Sequence, residues 1–157
     1  MLKLGEKAPE FCLPDRNAQK VYLSNFFRKW VVVYFYPKDG SAGCTQEAID
    51  FSSLLTKFEE LNAVVIGISP DSVKSHYDFC AKNNLQMLLL SDRTQKVMQQ
   101  YGAYRVRKIY GQDKTALVRC TYIINPGGVV AAEWDNVHVG GHAQTVLDTL
   151  KDLKKKK

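Results

Sequence analysis

The sequence carries four thiols, Cys12, Cys44, Cys80 and Cys120, and their placement decides what chemistry is open to it. None forms a C-x-x-C pair, which counts against a zinc knuckle and against a dithiol built on two near-adjacent cysteines. Separated thiols in a reducing compartment are mostly small buried hydrophobes, the reading that suits Cys12 and Cys120. Cys44 is the exception by position. It follows the apolar run Trp30–Tyr36 (WVVVYFY) and the glycine-containing turn Pro37–Gly43 (PKDGSAG), and it lies in the first turn of an amphipathic helix. Free backbone N–H groups gather at a helix start, and the helix dipole adds partial positive charge. Both favour a thiolate, the nucleophilic form of cysteine. An efficient enzyme would also need groups that stabilise a transition state. The three histidines, His76, His138 and His142, show no metal-ligand spacing, and His142, after Gly140–Gly141 at a helix start, reads as structural.

The elements that must position Cys44 follow from periodicity. Glu10–Leu13 and Lys20–Leu23 read as a hairpin joined by Pro14–Gln19. Trp30–Tyr36, with β-branched and aromatic residues and no charge, suits a central strand buried on both faces. Ala48, Phe51, Leu54, Leu55, Phe58 and Leu61 recur at helical spacing and predict a helix over Cys44–Leu61. Ala63–Ser69 is a second buried strand, followed by a helix over Ser72–Asn83. A short strand at Met87–Leu90 and a helix over Thr94–Tyr101 come next, then an irregular stretch. Leu117–Ile124 and Val129–Trp134 form a hairpin around Asn125–Gly128, and a last helix begins after Gly140–Gly141. Strands alternating with helices, then a late hairpin, predict one α/β domain with a mixed sheet and helices on both faces.

Composition removes other classes of function. At 157 residues the chain suits one domain, long enough to bury a core without a disulfide or metal staple. It has no apolar run near the ~20 residues that span a bilayer. The start, MLKLGEKAPE, lacks an apolar signal core, which points to the cytoplasm. The net charge of +6 falls to +2 without Lys154–Lys157, so the basic balance belongs largely to a terminal run expected to be frayed and disordered. Tyr101–Tyr110 mixes basic and aromatic residues but matches no RNA-binding motif, so no nucleic-acid partner is expected.

The segment Phe35–Phe51, FYPKDGSAGCTQEAIDF, resembles the peroxidatic segment of peroxiredoxins, in particular the peroxiredoxin Q, or bacterioferritin-comigratory-protein, subfamily. Its Pro-x-x-x-Thr/Ser-x-x-Cys motif is met by Pro37, Ser41 and Cys44, and the likeness continues in Ser72–Asn84, around Arg119 in VRCTYIINPGG, and in GHAQTVLDTL. The resemblance implies a thioredoxin-like fold and a thiol-dependent peroxidase that needs no flavin, haem or metal. In it Cys44 attacks a peroxide and becomes a sulfenic acid. Ser41 offers its hydroxyl to the thiolate or the peroxide, and Arg119 supplies positive charge and holds the substrate. The N–H groups of Gly43 and Cys44 steady the peroxide oxygens, and Pro37 walls the pocket. Taken alone, Ser41 reads as a helix N-cap, Arg119 as a surface ion-pair partner and Pro37 as a turn former. Glu47 could orient an arginine, but a carboxylate near the sulfur would oppose the thiolate, so it stays outside the expected site.

The resemblance also bears on the second thiol. Many relatives place a resolving cysteine five residues after the first; here that position is Ile49. A second subgroup places it in the next helix, which Cys80 matches, and this implies an intramolecular Cys44–Cys80 disulfide reduced by thioredoxin or glutaredoxin. Bonded cysteines have Cα atoms within ~7 Å, so the turns around Cys44 are expected to unwind on oxidation. Relatives of this type imply a monomer. The alternatives are a one-cysteine peroxidase resolved by an external thiol, a peroxide sensor, and a nucleic-acid binder resting on the lysine tail.

Overall fold

The structure is a computed structural model that describes residues 1–156. Its centre is strand β3 (Trp30–Phe35), flanked by parallel β4 (Ala63–Ser69) and antiparallel β8 (Cys120–Ile124). With β5 (Leu88–Ser91) and β9 (Val130–Trp134) they form one mixed sheet in the order β5-β4-β3-β8-β9. The side chains of β3 alternate as strand geometry requires. Val32 and Tyr34 enter the core on one face; Val31, Val33 and Phe35 enter the core on the other. That two-sided burial is why the run carries no polar residue.

The first face holds α1 (Ala42–Ser53), α2 (Leu55–Glu60), α3 (Val73–Asn83) and α5 (His142–Lys155). Helices α1–α2 and α3 both link parallel strands advancing in one direction across the sheet, and right-handed crossovers place such helices on a common face. Tyr34 stacks on Phe51 of α1 with ring centroids 4.8 Å apart. The Tyr34 ring also leaves no room at Gly67, where a Cβ would lie 2.7 Å from Tyr34 Cζ. The second face is covered by α4 (Lys96–Gln100), by the chain start, and by the antiparallel pair β1 (Cys12–Pro14) and β2 (Lys20–Tyr22). This is the expected thioredoxin-like layering with its N-terminal hairpin.

Four expectations change. The helix expected over Cys44–Leu61 is two helices, broken at Leu54, whose N–H turns to Phe51 O while its carbonyl starts the next helix by accepting from Phe58 N. The bend keeps Phe51 and Phe58 both fully buried, rings 6.0 Å apart. The stretch expected to be irregular is a second hairpin, β6 (Tyr104–Ile109) with β7 (Gln112–Leu117), turning at Tyr110–Gly111. Leu117 therefore belongs to β7 rather than to the strand ahead of Ile124. The lysine run is helical through Lys155: Lys154 Nζ donates to Leu61 O, and cations suit a helix C-terminus. Lys157 lies outside the described residues. Among them, no helix is long and apolar enough to cross a membrane.

Candidate active site

Strand β3 runs into the sheet interior as far as Phe35 and is stopped by the turn at Pro37, with Gly40 at φ +81° reversing the chain. Ser41 takes an extended N-cap conformation, and its carbonyl accepts the first helical bond from Thr45 N at 2.9 Å. Cys44 is thereby the third residue of α1, 1% exposed, under the sheet face formed by Tyr34 and Tyr36. The β3–β8 register pairs Phe35 with Cys120, so the residue before Cys120 stands across from the start of the turn. That residue is Arg119.

Arg119 reaches the sulfur: its Nη2 donates to Cys44 Sγ at 2.9 Å. Its Nη1 donates to Glu47 Oε1 at 3.1 Å. Glu47 lies one turn after Cys44 on α1 and is 2% exposed, and among the described residues its second oxygen has no hydrogen-bond partner. Burial pushes the Glu47 carboxyl up to about 7, outweighing the pull of Arg119 in the other direction. Gly43 makes the approach possible, since a Cβ there would stand 3.1 Å from Arg119 Nη2. A cation, an oriented donor and a helix start thus converge on one sulfur, an arrangement suited to stabilising a thiolate and the negative oxygen expelled when it attacks an O–O bond.

The other expected residues fall at different distances from this convergence. Pro37 is half-buried at the mouth of the turn. Ser41 caps by position only; its hydroxyl donates to Lys38 O at 3.1 Å and makes no bond to the helix start. Cys80 sits on α3, buried in the same core cluster as Cys44, and all four cysteines are free thiols. Cys120 is buried on the opposite face, its thiol pushed up to about 12 by burial. Cys12, expected to be buried, is exposed, because β1 is an edge pair whose inward side chain is Leu13. His142 is structural as expected: it meets Thr121 Oγ1 at 2.8 Å, and burial pulls it down to about 4.

Sequence reasoning missed a polar knot beside the site. Asp39, in the turn before Cys44, accepts from Tyr36 Oη (2.6 Å) and Ser75 Oγ (2.9 Å) and pairs with His76 Nδ1 at 2.7 Å. Its N–H donates to Asp71 Oδ2 (2.7 Å), which also accepts from Ser69 Oγ (2.7 Å), and His76 Nε2 faces Leu90 O at 3.0 Å. Ligand atoms of Asp39, Asp71 and His76 lie within 4.8 Å of one another. Every one of those atoms is already engaged with protein, so the knot reads as a tie between the Cys44 turn and α3 rather than as a metal site. No spacing rule joins Asp39 to His76, which are brought together only by the crossover.

A thioredoxin-like sheet that presents an arginine-held thiol at the start of its first crossover helix defines a peroxiredoxin. The chain matches the model of the AhpC/TSA family over residues 4–133, and it belongs to that family as a thiol-dependent peroxidase, an oxidoreductase. It is 44% identical to the putative peroxiredoxin bcp of Helicobacter pylori over 95% of this chain and 98% of that one. It is 39% identical to the peroxiredoxin Bcp of Bacillus subtilis over 99% of each. Among solved structures it superposes on Xanthomonas campestris peroxiredoxin Q with a TM-score of 0.87 at 37% identity, covering 90% of each chain. It superposes on a PrxQ variant of Xylella fastidiosa with a TM-score of 0.91 at 33% identity over 98% of each.

Proposed function

We propose that the protein reduces hydrogen peroxide and organic hydroperoxides through Cys44, resolves the product with Cys80, and is restored by thioredoxin or glutaredoxin. The observation that carries the first step is the 2.9 Å contact of Arg119 with Cys44 Sγ at a helix start. The thiolate attacks one peroxide oxygen, the O–O bond breaks, and the expelled oxygen takes a proton to leave as water or an alcohol. Arg119 and the N–H groups of Gly43 and Cys44 hold the charge that moves across the oxygens. Ser41 would join them by turning its hydroxyl away from Lys38 O, and Pro37 limits water at the mouth. Alkyl peroxide reduction is the activity described for the X. campestris bacterioferritin comigratory protein, which supports the organic substrates.

In the second step the Cys80 thiolate attacks the Cys44 sulfur, the S–O bond breaks, and hydroxide leaves as water with a proton. Two solved variants of X. campestris peroxiredoxin Q replace cysteines 36 positions apart, the separation of Cys44 and Cys80, which supports this pairing. An external dithiol then reduces the disulfide by exchange. The working unit is a cytoplasmic single-domain monomer.

Peptide mapping without reductant, after one equivalent of hydrogen peroxide, tests both steps. A linked Cys44–Cys80 peptide is expected. Oxidation confined to Cys44 would replace the two-cysteine cycle with resolution by an external thiol, and an unmodified Cys44 would overturn the assignment of the first step.

A further inference from the structure

An arginine from a distant part of the chain lines the same surface pocket as Cys80. The connection between β1 and β2 is folded back on Asp15, whose Oδ1 accepts from Asn17 N (2.8 Å) and Gln19 N (3.0 Å). This turn projects Arg16 across to the end of α3, where its Nη1 donates to Leu85 O at 2.8 Å. Leu85 N in turn donates to Cys80 O at 3.0 Å, and Asn84, left-handed at φ 53°, directs its own N–H to the same carbonyl. Arg16 and Cys80 line one surface pocket of about 330 Å³, together with Tyr77, Asn84 and Leu85.

We propose that Arg16 is a positioning residue for the second thiol: its guanidinium holds the negative charge of Cys80 while that sulfur attacks the Cys44 sulfenic acid. The inference rests on the reading that Cys80 resolves Cys44. A buried thiol attacks poorly because burial disfavours the thiolate, and burial does push the Cys80 thiol up. The charged and titratable groups that face it are Arg16 from the hairpin turn, Asp39 from the β3–α1 turn and Tyr34 from β3. Asp39 opposes the thiolate, but its charge is already shared with His76; Arg16 alone among the three favours it. The same charge serves the return half of the cycle. When an external thiolate attacks the Cys44 sulfur, the S–S bond breaks and Cys80 departs with the electron pair beside a guanidinium, which makes it the better leaving group. Because Arg16 is carried on a surface turn rather than on the sheet, it is placed to accompany Cys80 if the end of α3 loosens.

The test uses the full chain with Cys44→Ser, so that Cys80 alkylation by iodoacetamide can be followed at its own peptide across pH. Arg16→Met is expected to move the alkylation midpoint upward, leaving Cys80 about tenfold slower at neutral pH, the equivalent of about one pH unit. Arg16→Lys, which keeps the charge without the planar fork, is expected to restore most of the rate. A purely structural tie to Leu85 would instead speed alkylation at every pH with the midpoint fixed, and that result overturns the proposal. So does an Arg16→Met midpoint equal to that of the parent. With Cys44 restored, Arg16→Met is expected to form sulfenic acid at the parental rate and the Cys44–Cys80 disulfide about tenfold more slowly at neutral pH. A midpoint that moves in a protein forming no Cys44–Cys80 link would place the failure in the resolving role, not in the Arg16 contact.

Discussion

Cys44 and Cys80 are buried in one core on one face of one sheet, yet their surroundings are built on opposite plans. Around Cys44 the cation is fixed: Arg119 leads into β8, and its guanidinium is braced by the buried Glu47. Around Cys80 the cation arrives on a surface turn and is braced by a carbonyl at a helix end. The first thiol has its partners placed before any substrate arrives, as a step limited by charge rearrangement demands. The second is covered, and the proposed resolving step asks it to leave its place. The Asp39–His76 knot spans the two regions and holds them in register.

The largest effect that separates the two thiols is expected from their replacement by serine. Cys44→Ser should lower peroxide reduction by at least about 10⁴-fold, the scale of losing a nucleophile. Cys80→Ser should keep the first oxidation and lose thioredoxin-coupled turnover. Stopped-flow consumption of the first equivalent, set against steady-state turnover, reads both; equal loss in both assays would erase the distinction. Next, Arg119→Met should cost 10²–10³-fold in kcat/KM, the magnitude of removing one preorganised donor. It should also lower the thermal midpoint, because the buried Glu47 carboxyl loses the cation that faces it.

The knot between the regions comes third. Asp39→Ala strips hydrogen bonds from Tyr36, Ser75 and the buried His76, and should destabilise the protein by about 3–5 kcal/mol, read from urea midpoints. Hydrogen exchange should rise together in 37–49 and in α3. A rise confined to one of them would show that the knot does not join the two.

The smallest and most specific effect concerns Glu47. Its carboxyl stands at about 7 in the folded protein against 4.5 for the free group, so between those values the folded state holds a proton that the unfolded state has released. Its contribution to stability is therefore complete below about 4.5 and is lost as pH rises to about 7, on the order of 3 kcal/mol in all. His142, held down to about 4, works the other way, its contribution being lost as pH falls from 6.5 to about 4. Subtracting the stability profile of Glu47→Gln from that of the parent isolates the first trend. A flat difference between pH 4.5 and 7 would contradict the raised carboxyl.

The strands that hold the site were legible because burial on two faces leaves a composition no loop shares, and Trp30–Phe35 and Ala63–Ser69 announce it. The β6–β7 hairpin was not: Val106 and Lys108 are exposed on one strand, and Gln112, Asp113, Lys114 and Thr115 are all exposed in succession on the other, so no apolar period marks it. Tyr110, fully exposed at φ 52°, disguises the turn where glycine or asparagine would have signalled it. Within the site, Cys44, Gly43 and Arg119 were readable through a shared pattern. Glu47 escapes a reading of the sequence because a carboxylate near a thiolate looks unfavourable in isolation. What reverses that judgement is the guanidinium lying between them, a relation that appears only when β8 is laid against β3.

The discontinuity at Leu54 limits how far disturbance can spread. A helix unravels from its end by surrendering one i→i−4 bond after another, and nothing within an unbroken cylinder tells it where to stop. In this chain the ladder that begins at Ser41 O ends at Leu54, and Phe58 draws on a fresh start. On the proposed cycle, the span of chain that Cys44 has to release is bounded by the twelve residues of α1, and Phe58 of α2 lies fully buried beyond the break. If the proposed disulfide unwinds these turns, the break acts as a firebreak: it sets the size of the excursion and leaves a seated template from which the lost turns can be rewound.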